Sequence, residues 1–170
     1  KKQLLLNVDF PDPRELLGIV ERVCRLFDLA ADPDQIERVV SSNHAMWPRV
    51  KRFPGLRVPG AWDGFELSVR AILGQQVSVK GATTLAGRLA DKFGLEIDNE
   101  VAEPKLSRIF PSPEELAEAD IASIGLPRTR AEAIRALAKN VADGVICFGY
   151  VSDTRNFQNR LTAVPGIGAW

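Results

Sequence analysis

Apolar and polar positions change period along the chain, and each change marks an element. Residues 4–10 alternate, with Leu4, Leu6, Val8 and Phe10 on one face and Leu5, Asn7 and Asp9 on the other. That period of two predicts a strand, which ends at Pro11. Asp12-Pro13-Arg14-Glu15 then supplies an N-cap, a proline at the first helical position and a glutamate three residues after the cap. A helix is predicted to follow, with Leu16, Leu17, Val20, Val23, Cys24 and Phe27 as its buried stripe. Asp32-Pro33-Asp34-Gln35 repeats the start signal, and Ile36, Val39 and Val40 continue a second helical face. From Ser41 to Gly64 the chain carries Pro48, Pro54, Gly55, Pro59 and Gly60, which predicts a connector with little regular structure.

The pattern is helical again from Phe65, with Phe65, Val69, Ile72, Leu73 and Val77 on one side, ending near Ser78. Ser78 is placed to cap a helix that buries Ala82, Leu85, Ala86, Leu89 and Phe93 and stops at Gly94 in a left-handed C-cap. Residues 95–110 read as irregular and polar. Ser112-Pro113-Glu114-Glu115 is a capping box that opens a short helix. Asp120 opens another helical turn that closes at Gly125, and Pro127 to Ala142 carries Ile134, Leu137, Ala138 and Val141 before Gly144. Asp153 caps a last helix, with Phe157, Leu161 and Val164, that runs into Pro165-Gly166-Ile167-Gly168.

The expected fold is therefore mainly α, a helical array with short connections preceded by one strand. A single strand has nothing to pair with, so it is expected to be the last strand of a sheet whose other strands precede residue 1. The chain starts without Met and stops at Trp170, where a helix should begin, so both ends are expected to be cuts. The expected division is 1–30, the end of an α+β N-terminal domain, and 31–170, a helical domain lacking its C-terminal part.

Composition narrows the chemistry. At 170 residues and 45% hydrophobic the chain can bury a core, and no apolar run approaches the roughly 20 residues of a membrane span. With no secretion signal at Lys1-Lys2-Gln3, a cytoplasmic protein is expected. Twenty-two basic residues balance 22 acidic ones, so any nucleic-acid site must be local. Cys24 and Cys147 show neither metal-ligand spacing nor a disulfide framework and are expected to be buried thiols. His44, the one histidine, has no ligand partner at metal-site spacing, so no metal is expected.

The segment that carries chemistry is Leu161-Thr162-Ala163-Val164-Pro165-Gly166-Ile167-Gly168, a helix end, a tight hairpin and the start of a further helix. Gly166 and Gly168 leave no side chain between main-chain N–H groups and an approaching anion, and the next helix adds the positive end of its dipole. A DNA phosphate fits that chemistry. The alternative is a plain helix–helix turn with Ile167 as a core plug.

Val164-Pro165-Gly166-Ile167-Gly168-Ala169-Trp170 resembles the hairpin of the helix-hairpin-helix DNA glycosylase superfamily, specifically the AlkA-type 3-methyladenine DNA glycosylases. Three further segments match in order: Leu56-Arg57-Val58-Pro59-Gly60 with Phe65-Glu66, Arg70-Ala71-Ile72-Leu73-Gly74-Gln75-Gln76-Val77-Ser78, and Ile124-Gly125-Leu126-Pro127 with Arg130-Ala131. The resemblance runs from about residue 4 to Trp170.

It implies a monofunctional DNA repair enzyme, working as a monomer on double-stranded DNA, that hydrolyses the N-glycosidic bond of alkylated bases without a cofactor. Family members bend the duplex, insert a side chain and turn the damaged nucleotide out into a pocket. An aspartate beyond the hairpin then stabilises the oxocarbenium-like sugar as the base departs. That residue would lie after Trp170, so these 170 residues are expected to be inactive by themselves. A non-catalytic helix-hairpin-helix module that only holds DNA is the competing reading.

The resemblance also assigns individual residues. Val164, Gly166, Ile167 and Gly168 would hold DNA. Gln76 occupies the position that fills the gap left by the flipped base, and its neighbour Gln75 would hold the loop in place; the alternative for both is a polar helix end. Trp170 stands where strand-cleaving members carry a Schiff-base lysine, which implies base release without strand cleavage. Its ring would either line the base pocket, facing an electron-poor methylated base, or pack on the preceding helix. The Arg128-Thr129-Arg130 cluster either touches phosphate or is a solvated helix start. The superfamily's iron–sulfur loop, where it occurs, follows the hairpin, and AlkA-type proteins lack it.

Overall fold

The computed structural model describes residues 3–97, 107–149 and 153–168. By its internal contacts the chain divides into two compact units, residues 1–62 and 63–170.

The first unit holds a 3-10 turn, Pro13–Glu15, and three helices, α1 (Leu16–Leu26), α2 (Pro33–Ser41) and α3 (Trp47–Arg52). Both proline-containing start signals work as expected. The Asp12 side chain accepts from the Arg14 N–H, and Asp32 accepts from the N–H groups of Asp34 and Gln35. The Arg14 guanidinium also returns to Asp12, 2.6 Å from Oδ2, and holds that carboxyl below the ordinary carboxylate range.

Three expectations are corrected here. Residues 4–10 form no strand, because alternation makes a ladder only when another strand offers hydrogen bonds and none does among the described residues. The α1 stripe is not buried: Leu17 is 69% exposed and none of the helix's side chains falls in the core. Third, the connector is more regular than its prolines suggest. It contains α3, whose Pro48 sits in the first turn, where its missing N–H has no helical partner anyway.

The rest of the connector folds back on α1. The Arg57 guanidinium donates to the carbonyls of Asp28 and Ala31, and the Gly60 N–H donates to Leu26 O at 3.0 Å. A Cβ on Gly60 would lie 2.6 Å from Arg25 O, so only glycine permits this approach. These bonds put residues 31–62 in the same unit as α1, whereas the sequence pattern suggested a division after residue 30.

The second unit contains α4 (Gly64–Leu73), α5 (Val79–Phe93), a two-residue antiparallel bridge of β1 (Leu95–Glu96) with β2 (Arg108–Ile109), α6 (Pro113–Glu118), a 3-10 turn (Ile121–Ile124), α7 (Arg128–Ala142) and α8 (Thr154–Thr162). The bridge falls in a stretch expected to be irregular. Its register pairs Leu95 with Ile109 and Glu96 with Arg108. Helix starts follow their caps: Asp63, Ser78, Ser112 and Asp153 each accept a main-chain N–H, and Ser112 with Glu115 completes the reciprocal box.

The core is built where the 3.6-residue period placed it. Phe65, Val69, Ile72 and Leu73 of α4 meet Ala86 and Leu89 of α5, Leu116 of α6 and Ile134, Leu137 and Ala138 of α7. Each fully buried leucine or isoleucine contributes about 1.5–3 kcal/mol relative to exposure. Val77, expected on the α4 stripe, is 38% exposed because the helix ends at Leu73. Gly94 is extended (φ −79°, ψ 154°), not left-handed; its missing side chain makes room for the carbonyls of Ala90 and Ile109. Cys24 is half-buried and Cys147 exposed, against the expectation of two buried thiols. After the α7 turn the chain alternates, with Ile146 buried and Phe148 edge-on to Phe157 at 5.6 Å, so Cys147 points outward.

Candidate nucleic-acid interface

The hairpin is a sharply folded turn. Helix α8 ends at Thr162, and the Val164 carbonyl accepts the Ile167 N–H at 3.0 Å. Pro165 stands second in that turn and Gly166 third with φ +85°, the arrangement of a type II turn. Proline presets the first angle and glycine supplies the second without steric cost.

Tertiary contact fixes where this turn sits. A Cβ on Gly166 would lie 2.7 Å from the Ala133 side chain, so the hairpin rests directly on α7. Two small residues are needed at that contact, one from each element. Ala133 carries no sequence signal for the role, being one alanine among several on α7.

The candidate hairpin residues separate by exposure. Val164 is 3% exposed and belongs to the core, and its carbonyl is taken up by the Ile167 N–H within the turn. Ile167 is half-buried against the same core, and its N–H is engaged by Val164 within the turn. Gly166 and Gly168 are exposed. The sequence offered phosphate holding and core plugging as alternatives; the apolar side chains here plug, while the glycines face out.

The loop between α4 and α5 meets the hairpin. Gly74 closes α4, its N–H donating to Arg70 O at 2.9 Å, and Gln75 N–H donates to Ile72 O at 3.2 Å. The next residue, Gln76, is exposed and has φ +56°, a conformation unusual for a side chain of its length. The half-buried Gln75 turns the other way, and its Nε2 donates to Gly166 O at 3.4 Å, across 91 residues of sequence. The two adjacent glutamines are thus set apart: one bonds the hairpin, the other is exposed.

Of the remaining candidates, Ala169 and Trp170 lie outside the described residues. Arg128 and Thr129 are exposed at the first turn of α7 and Arg130 is half-buried. Arg70 is occupied by Glu66 at 2.7 Å, a half-exposed i,i+4 pair. His44 is exposed, and among the described residues no three His, Cys, Asp or Glu side chains gather as a metal site.

Residues 1–63 match the family described as the AlkA N-terminal domain, and residues 69–166 match the HhH-GPD superfamily base excision DNA repair protein. The probable bifunctional transcriptional activator/DNA repair enzyme AlkA of Mycobacterium tuberculosis is 36% identical over 167 residues, covering 98% of this chain and 33% of that protein. DNA-3-methyladenine glycosylase 2 of Escherichia coli is 38% identical over 152 residues, 88% of this chain and 50% of that protein. Among solved structures, MBOgg1 in complex with a low-affinity DNA ligand superposes with a TM-score of 0.70 at 25% identity, over 93% of this chain and 54% of the other. The chain thus spans half or less of the length of these two curated relatives.

Proposed function

The chain belongs to the HhH-GPD superfamily of base excision DNA repair proteins, and from that membership we propose that the whole protein hydrolyses the N-glycosidic bond of alkylated bases, 3-methyladenine among them, in double-stranded DNA. It acts as a monomer and leaves the strand intact. The observation that carries the reading is the seating of a Pro165-Gly166 turn beside the exposed, left-handed Gln76. That arrangement supports reading the hairpin as a phosphate anchor and Gln76 as an insertion residue.

The roles follow from the chemistry each position offers. Gly166 and Gly168 let a DNA phosphate approach the main chain closely, because neither interposes a side chain. Gln76 fills the stack vacated by the flipped nucleotide and offers an amide to the orphaned base. Trp170 lines the base pocket with an aromatic face suited to a positively charged methylated ring. Alkylation at a ring nitrogen makes the base a good leaving group, so one carboxylate that stabilises the developing sugar cation is sufficient. The reading assigns that carboxylate to an aspartate outside these 170 residues, so this segment alone is expected to release no bases.

The test incubates protein from the complete coding sequence with methylated duplex DNA and separates free bases from strand fragments. Release of 3-methyladenine with an intact strand is expected. Tight binding without base release would replace the enzyme by a DNA-holding module, and strand scission would exclude the monofunctional mechanism.

A further inference from the structure

Gln75 and Gln76 are adjacent and chemically identical, yet the structure sets them apart: Gln75 bonds the hairpin, while Gln76 is exposed. We propose that Gln75 is a positioning residue: its carboxamide ties the insertion loop to the phosphate-binding hairpin, so that Gln76 reaches the stack at a fixed distance from the anchored phosphate. The proposal rests on the functional reading above and deepens it.

Three observations carry it. The Gln75 Nε2 donates to Gly166 O, at the centre of the hairpin turn, and this is the side-chain hydrogen bond that spans the greatest sequence separation among the described residues. The hairpin end is immobilised, since Gly166 sits against Ala133 of α7 with no room for a methyl group. The loop end is held at its root by the Gly74 and Gln75 N–H groups, bonded back to Arg70 O and Ile72 O. Beyond that root the chain turns through the left-handed Gln76 before Ser78 caps α5. The carboxamide therefore joins the loop to the hairpin turn next to Gln76, whose side chain is carried on left-handed backbone.

The consequence is mechanical. Extruding a base from a duplex requires the phosphate to be held while the stack is filled, and the two actions must be in register. A flexible loop would place Gln76 correctly only part of the time, and the extruded population would fall by that fraction. Gln75 thus acts through Gln76, not on the DNA.

A double-mutant cycle tests this in the full-length protein. Base extrusion is read by the fluorescence of 2-aminopurine placed beside an abasic-site analogue, and base release from methylated duplex is measured under single turnover. Gln75→Ala is expected to lower extrusion by up to about tenfold, the weight of one hydrogen bond. In a Gln76→Ala background the same change is expected to have little further effect, because the residue through which it acts is gone. Equal fold losses in both backgrounds would overturn the proposal, whether they came from a direct DNA contact by Gln75 or from general loosening, which a lowered Tm would identify. No loss in either background would also overturn it. If the unmodified protein neither extrudes nor releases a base, the functional reading fails first and the inference with it; an active protein with independent glutamines sinks the inference alone.

Discussion

Replacing Gly166 by alanine tests the placement of the hairpin directly. Two separable costs are built into that position. At φ +85° an L-residue with a Cβ is strained by about 1–2 kcal/mol. The new methyl would also stand 2.7 Å from the Ala133 Cβ, about 1 Å inside ordinary carbon–carbon contact. Forcing a methyl into such packing costs about 1–3 kcal/mol, so Gly166→Ala should destabilise the fold by about 2–5 kcal/mol in total. Making the same change in an Ala133→Gly background removes the overlap and leaves the backbone strain, so the cost there should fall to about 1–2 kcal/mol. Urea unfolding followed by far-UV circular dichroism gives all four corners of the cycle. A cost for Gly166→Ala below about 0.5 kcal/mol, the ordinary surface range, would refute the turn geometry. An identical cost in both backgrounds would refute the contact with α7.

Other outcomes follow from the same geometry. Leu116→Ala removes a fully buried side chain of α6 and should cost about 2–5 kcal/mol in the same unfolding assay. Ser112→Ala deletes one half of the reciprocal cap, in which Ser112 Oγ accepts from Glu115 N–H at 3.3 Å, and should cost about 1 kcal/mol, with Ser112→Gly recovering most of it. Gln76→Gly should move stability and function in opposite directions: relief of the left-handed backbone should stabilise by up to about 1 kcal/mol, while 2-aminopurine fluorescence should show loss of base extrusion. A stability loss there would show that the Gln76 side chain contributes to the fold.

The helical domain was legible in its local signals. Ser78, Ser112 and Asp153 each cap the helix expected after them, because capping is a bond between residues two or three apart; Asp63 caps α4 as well, though the sequence pattern places it in the connector. The apolar faces of α4, α5 and α7 became the core for an equally local reason, their 3.6-residue period. Where expectation failed, the missing information was a partner. Leu4 to Phe10 alternates like a strand, yet a strand exists only by pairing. Leu16 to Phe27 has a helical stripe, but periodicity describes which side is apolar and not what covers it. Gly94 was expected to be left-handed from its place after a helix; the close approach of Ala90 and Ile109 carbonyls is what requires glycine there.

The interface divides along the same line. The chain's own sequence determined that Pro165-Gly166 would turn. Sequence could not supply the partner that Gln75 bonds, Gly166 O, or seat the turn on Ala133. Those outcomes depend on groups up to 91 residues apart meeting at van der Waals or hydrogen-bond distance, and such forces act across space with no trace in the order of residues until the chain has folded.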